Sequence, residues 1–282
     1  MLSFFNSEMI FPQKNDPRWI FLIYAICFVV FALASPGFTR TAEQFLTAFA
    51  TCITLDFLLL RFYKRIFLFP MSGLLSSFGI FLMCDAISVW PYFLAGVLTI
   101  FSKHFITIKG RHIFNPNNFA VVMLSLFLPS FVTVTAGRWG GMIEVMFALM
   151  IFGLLLAYKI NRINLITSYI VTYLIGAWVR SRITHSSLLT IMGPGTGAAF
   201  QLFVFYHITD PKTTPNERRH QIVFGIFLGI IDAYLRLNQN KFAPFLSFFI
   251  MSGLYSFFKV QFQLDSTSPW KLSITQICWP KT

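Results

Sequence analysis

The sequence predicts an all-α polytopic membrane protein of about ten transmembrane helices, and three observations carry that prediction. Hydrophobic residues make up 56% of the 282, charged residues only 11%, and mean hydropathy is +0.69. An ordinary soluble domain carries roughly 25% charged residues, and a soluble core able to hide 36 Phe would leave too little polar surface to stay wet. The charges that are present fall between apolar runs instead of within them.

The runs follow one another along the chain. The first, 19–34, comes after Lys14 and Arg18 and ends in Ala32-Leu33-Ala34-Ser35. That pattern also fits a signal peptide with its small-residue cleavage site, but the many later runs favour an uncleaved first helix. Runs two to four are 42–60, 66–84 and 87–102. The fifth, 117–134, starts behind the turn former Asn115-Pro116. The sixth, seventh and eighth are 142–158, 164–179 and 186–208; the last two are 221–235 and 242–258. Several are shorter than the roughly 20 residues of a straight spanning helix, so they borrow flanking amphipathic residues, insert only in part, or sit in thinned bilayer. One membrane domain, 1–258, is expected, with a cytoplasmic tail of 259–282.

Charge gives the orientation. With the N-terminus in the cytoplasm, the outside loops hold Arg40, Arg138, Arg180, Arg182, Arg236 and Lys241, leaving 16 of the 22 cations inside. That bias follows the positive-inside rule and places both termini in the cytoplasm, here of a bacterial inner membrane. It accounts for the net charge of +12 without nucleic acid, since no basic run is interleaved with aromatics. Cys27, Cys52, Cys84 and Cys278 show no paired spacing, and the five histidines form no i, i+4 pair, so neither a disulfide framework nor a metal site is indicated.

The third and eighth runs echo each other. Pro70, Ser72, Gly73 and Asp85 match Pro194, Thr196, Gly197 and Asp210, although the Pro-to-Asp offsets are fifteen and sixteen. The two elements stand an odd number of spans apart and so cross in opposite senses. This pattern predicts a five-plus-five inverted repeat, 19–134 and 142–258, with broken third and eighth helices.

Two polar loops on the cytoplasmic side hold the candidate site. The first, 103–118, supplies Arg111, Asn115, Asn117 and Asn118; the second, after the eighth run, supplies Thr209, Asp210, Thr213 and Thr214. Gly195 and Gly197, in the Gly-Pro-Gly-Thr-Gly break of the eighth run, complete the set, because irregular backbone at membrane depth survives only where it is buried in protein or lines a cavity. A connecting loop needs only a turn, whereas these gather amides, hydroxyls, a carboxylate and cations, as a site gripping a polar aromatic or phosphorylated group would. Helix capping alone is the simpler alternative.

Lys103-His104 with Phe114-Asn115-Pro116, and Thr209-Asp210-Pro211 with Thr213-Thr214-Pro215, resemble motifs of the membrane-embedded D subunit of Rnf-type electron-transport complexes and the B subunit of sodium-pumping NADH:quinone oxidoreductases. The resemblance runs loosely over 66–236, and the short Arg-His-Ile-Phe-Asn-Pro version looks closer to stand-alone relatives associated with enediyne biosynthesis. It implies ten membrane helices, an inverted repeat, flavin binding and electron transfer with other redox subunits or a quinone. The ion-pumping members carry Ser-Gly-Ala-Thr after the fifth helix, whose threonine holds covalent FMN. Here the corresponding loop, Val134 to Gly141, lacks it. The expectation is therefore non-covalent riboflavin or FMN. No Gly-rich dinucleotide fingerprint follows a strand, so NADH is not expected to bind.

A solute or ion permease remains the rival from another class, since broken helices in an inverted repeat are equally the build of transporters. A cofactor-less structural or assembly subunit is the third alternative. Among the acids, Asp56 is the one plausible ion-pathway carboxylate, expected to snorkel or pair beside Arg61 one turn from the helix end. Glu144 and Asp232 are expected near the interfaces.

Overall fold

A computed structural model of the chain describes residues 9–14, 16, 18–35, 38–108, 110–132 and 143–262. Within them the protein is mostly helical, and a helix falls in each of the ten apolar runs. In chain order these are α1 (Arg18–Ala34), α2 (Ala42–Leu58), α3 (Met71–Met83), α4 (Trp90–Phe105), α5 (Pro116–Phe127), α6 (Ile143–Lys159), α7 (Ile163–Thr184), α8 (Leu188–Met192), α9 (Ala198–Leu202), α10 (Arg218–Leu237) and α11 (Ala243–Phe262). A two-residue antiparallel pair, β1 (Thr107–Ile108) and β2 (Arg111–His112), joins α4 to α5 and turns at Gly110, φ +75°.

Among the described residues, three helical stretches are long and apolar enough to cross a membrane: Ala42–Tyr63, Ile163–Thr184 and Arg218–Leu237. A fourth forms if Leu188–Gly195 and Phe200–His207 are taken together across a bend of 58°. Gly193–Thr196 is a 3-10 turn at that bend, with Pro194 removing a backbone donor from the ladder. The expected break in the third run takes another form. Phe67, Leu68 and Phe69 are extended and bridge to Ile10, through Ile10 N–H to Phe67 O at 3.0 Å and Phe69 N–H to Ile10 O at 3.0 Å. The helix α3 starts only behind Pro70 and runs unbroken.

Local chemistry sets several ends. Thr41 and Gln44 form a capping box at α2: the Thr41 hydroxyl accepts from Gln44 N at 3.3 Å, and Gln44 Oε1 accepts from Thr41 N at 2.9 Å. Two helices end in π turns, Leu59–Tyr63 after α2 and Phe203–His207 after α9. A π turn holds one more residue than an α turn, taken up by the bonds from Lys64 N–H to Leu59 O and from Ile208 N–H to Phe203 O.

Helices approach where side chains are small. On α10, a Cβ at Gly225 would lie 2.0 Å from Ser168 Oγ and 2.7 Å from the Leu165 carbonyl oxygen of α7. One turn on, a Cβ at Gly229 would meet Thr172 at 2.6 Å, and a Cβ at Gly176 would meet Ala233 at 2.7 Å. The same device joins α2 and α4, where a Cβ at Gly96 would sit 2.8 Å from Thr51. Seven residues beyond Gly96 and Gly229 stand cations, Lys103 and Arg236, each bonded to a buried carboxylate, Asp56 and Asp232. Interfaces of this kind let apolar helices gain dispersion contacts that lipid tails do not offer.

Loops two apart in sequence gather at common ends. At one end Arg40 Nε donates to Cys84 O at 2.6 Å, Tyr92 OH to the same oxygen at 3.0 Å, and Gln44 Nε2 to Ala86 O at 2.8 Å. At the other, Arg162 Nη2 donates to Asn216 Oδ1 at 2.7 Å, and Gln221 Nε2 donates to Asn161 O at 2.9 Å.

Gly225→Ala should destabilise the protein by about 1–3 kcal/mol, because its methyl meets backbone as well as a hydroxyl. Gly193→Ala, whose methyl would have nothing within 4 Å, should stay within about 0.5 kcal/mol of the parent. Unfolding titrations in mixed detergent measure both, and equal stabilities would mean that α7 and α10 are not in close contact.

Candidate functional site

The two polar loops meet. Asn115 Nδ2 donates to Asp210 Oδ2 at 3.3 Å, across ninety-five positions of sequence. Each partner is fixed by its own turn. Asn115 caps α5, its Oδ1 accepting from Asn117 N at 3.1 Å and Asn118 N at 3.2 Å, with Pro116 at the first helical position where no backbone donor is needed. Asp210 closes the turn after the second π turn. Its Oδ1 accepts from Lys212 N at 3.0 Å and its Oδ2 from Thr213 Oγ1 at 3.3 Å, while Thr214 Oγ1 donates to the Asp210 carbonyl at 2.7 Å.

The expected site residues divide into groups. Asn115, Asp210, Thr213 and Thr214 form one bonded unit, with Thr213 and Thr214 buried. Asn117 and Asn118 lie just behind it. Asn118 Nδ2 donates to Phe245 O at 3.0 Å, and Asn117 packs so tightly on α3 that a Cβ at Gly79 would lie 2.1 Å from its Nδ2. Thr209 turns back on its own helix, donating to Phe205 O at 2.8 Å, so its hydroxyl proton is spent there. Arg111 stands on β2 and is not among the groups bonded to Asp210. Gly195 and Gly197 are elsewhere: about ten helical residues separate them from Asp210, roughly 15 Å of rise. Gly195 serves packing, since a Cβ there would lie 2.8 Å from Tyr173, whereas at Gly197 the nearest atom is at 3.7 Å. The loop 134–141, where the covalent-flavin motif is missing, lies outside the described residues, as do Lys109, Cys278 and the tail from 263 onward.

Under the junction several buried polar atoms have no hydrogen-bond partner. They are Asn117 Oδ1, Asn118 Oδ1 and both ring nitrogens of His207. His207 has no solvent exposure and sits in the π turn with the Phe245 ring edge-on at 5.9 Å and the Tyr206 ring at 5.9 Å. Unpaired groups of this kind are costly in a fold that had no use for them, about 1–3 kcal/mol each. Composition and spacing point to Asp210 but not to His207, whose sequence neighbours are the apolar residues of the eighth run.

A second cluster at the same end is only half legible in the sequence. Asp56, with no exposure, accepts from Lys103 Nζ at 2.6 Å on both oxygens, lies 2.7 Å from His104 Nε2, and accepts the Gly73 backbone N–H at 2.9 Å. The partner is therefore Lys103 and not Arg61, and because the π turn prolongs α2 to Tyr63, Asp56 lies two turns inside the helix end. Gly73 must be glycine here, since a Cβ would stand 2.8 Å from both Asp56 Cβ and Cys52 O. Asp232 likewise is buried within the protein; it takes Arg236 Nε at 2.9 Å and the Tyr169 hydroxyl at 3.1 Å. The side chain of Glu144 lies outside the described residues.

Between the clusters, on β2, His112 has its Nδ1 enclosed and unbonded. Burial, reinforced by the Lys212, Lys103 and Lys64 cations, pushes its imidazole well below the usual histidine range. It is neutral in the folded protein.

No family model matches this chain, and no curated protein matches it.

Asp56→Asn should destabilise the protein by about 3–5 kcal/mol, because it strands the buried Lys103 cation. Adding Lys103→Met should recover a large part of that loss, and unfolding titrations of the double-mutant cycle read the coupling. His112 makes stability depend on pH. A histidine neutral when folded and near 6.5 when unfolded leaves stability intact above that value and erodes it as pH falls below, since only the unfolded chain takes the proton. His112→Gln should therefore flatten the fall in melting temperature between about pH 6.5 and 5. An unchanged acid slope would remove His112 from that role.

Proposed function

We propose that the protein is a membrane-embedded electron-transport subunit that holds a flavin non-covalently at the junction of its two polar loops. The observation that carries this reading is the Asn115 to Asp210 hydrogen bond, which unites the two separate motifs that resemble the Rnf and sodium-pumping oxidoreductase subunits. Motifs far apart in sequence that close on each other form a site more readily than two unrelated caps would.

The residues present suit such a group. The edge of an isoalloxazine offers N–H donors and carbonyl acceptors, and the unpartnered amide oxygens of Asn117 and Asn118 accept while the His207 imidazole can do either. Tyr206 and Phe245 supply apolar ring faces and edges beside His207. Flavin, when bound, supplies one- and two-electron transfer. The chain contributes orientation through the Asp210 turn, exclusion of water through Phe203, Phe245 and Phe248, and hydrogen bonds at buried positions where each counts for more than in water. The electron donor and acceptor belong to partner redox subunits or a quinone.

The full architecture is part of the same proposal: ten spans in two inverted halves, both termini cytoplasmic. It is supported by the parallel Gly96–Lys103 and Gly229–Arg236 pairs, and by the tight contacts of Gly73 on α2 and Gly195 on α7. The one-residue difference between the two Pro-to-Asp offsets equals the extra residue of the Phe203–His207 π turn. The register of the match shifts slightly, since Gly195 and not Gly197 makes the tight contact.

A permease is the second reading, favoured by the 58° bend between Leu188–Gly195 and Phe200–His207, because bent half-helices are a common place for solute. Purified protein separates the two. An electron-transport subunit should be yellow and release flavin into the supernatant on acid denaturation, and Asp210→Asn should lose that flavin at unchanged protein level because one carboxylate acceptor is gone. Colourless wild-type protein that stays colourless after incubation with FMN and with riboflavin would leave the permease reading.

A further inference from the structure

At the opposite end from the Asp210 junction, α7 and α10 line a lateral groove of about 260 Å³. Its walls are apolar, formed by Ile175, Val179 and Ile183 of α7 with Ile230, Ala233 and Leu237 of α10. One cation also lines it. Arg180 is 8% exposed, and its Nε and Nη2 are buried without any hydrogen-bond partner.

The charge around Arg180 does not close. The neighbouring carboxylate, Asp232, is fully buried and already accepts from Arg236 Nε on both oxygens, at 2.9 and 3.0 Å, and from the Tyr169 hydroxyl. Arg236 further stacks over the Tyr173 ring at 5.3 Å. Two guanidiniums and one carboxylate leave one net positive charge among the described residues, facing an apolar channel. A buried cation with the Tyr173 hydroxyl beside it and two planar donors still unused calls for a monovalent anion with at least two acceptor oxygens.

Depth selects the source of that anion. Trp178 and Tyr234, 53% and 65% exposed, flank this level of α7 and α10, and Arg182 lies over the Trp178 ring at 5.8 Å. Aromatics of that exposure with adjacent cations mark the headgroup level of a bilayer. A groove of this volume is at the small end for a ligand site and suits a single hydrocarbon chain lying along it. A neutral headgroup would leave the charge uncompensated.

We propose that this groove binds an anionic phospholipid, with one acyl chain along α7 and α10 and the phosphodiester oxygens on the Arg180 guanidinium. The inference is independent of the flavin reading, and its test involves no redox chemistry. Purified, delipidated full-length protein is titrated with phosphatidylglycerol, with phosphatidylcholine of the same chains, or with inorganic phosphate. Binding is read by native mass spectrometry and by thermal unfolding.

Phosphatidylglycerol should bind at least about tenfold more tightly than phosphatidylcholine, and inorganic phosphate should leave the melting temperature unchanged. Arg180→Gln should bring phosphatidylglycerol down to the phosphatidylcholine level. Val179→Phe, which fills the groove from an exposed position and keeps the cation, should weaken phosphatidylglycerol binding while the fold is retained. Equal affinity of wild type for the two lipids, a preference that survives Arg180→Gln, or stabilisation by inorganic phosphate equal to that by phosphatidylglycerol would each overturn the proposal. Should Arg180→Gln fail to fold, Arg180→Lys replaces it: retention of charge with loss of the planar fork should reduce the preference, and an unchanged preference counts against it.

Discussion

A carboxylate with no access to water governs the architecture of its end of the molecule. Burying Asp56 unpaired would be prohibitive, so everything near it is arranged to supply charge and donors: Lys103 and His104 from the end of α4, and a backbone N–H from the start of α3. Those three groups arrive only if α3 starts where it does, and α3 can approach only because position 73 has no side chain. The extended Phe67–Phe69 segment, pinned by Ile10, in turn sets where α3 begins. One electrostatic requirement thus fixes the relation of three helices and part of the N-terminal segment.

The same logic recurs around Asp232, with Arg236 and Tyr169 in place of Lys103 and His104. In both places a glycine seven residues before the cation lets its helix come close to a threonine of the partner helix. Close backbone approach and the buried pair support each other: the first shuts out water, and the second is strengthened by its absence. Apolar helices packed through small residues would otherwise have little to fix their rotation relative to one another.

Much of this is legible in the sequence, and the gaps have physical causes. The helical class and the run boundaries come from hydropathy, which depends only on composition along the chain. The convergence of Asn115 and Asp210 is suggested because turn chemistry is local and both turns are rich in polar groups. Gly195 and Gly197 group with them in the sequence because a broken helix signals irregular backbone, yet sequence does not say at which depth a break lies; the intervening α9 and π turn carry Asp210 a helix length away. Asp56 reads as a residue near the interface because its nearest cation in sequence is Arg61, whereas pairing in space crosses forty-seven positions to Lys103. His207 cannot be told from any other residue of an apolar run. Its meaning comes only from finding both ring nitrogens enclosed and unpaired.

The π turn at Phe203–His207 has a bearing on how such a chain can diverge. Ile208 N–H bonds the Phe203 carbonyl across five residues, so a single deletion inside the turn would let the same two groups close an ordinary α turn and leave the segments on either side where they are. The Asp210 turn would still face Asn115, and what would change is the wider loop that lodges the enclosed His207 ring. Insertions and deletions at this point therefore act locally, and a lineage could gain or lose the buried imidazole beside the junction in one step without moving the junction itself.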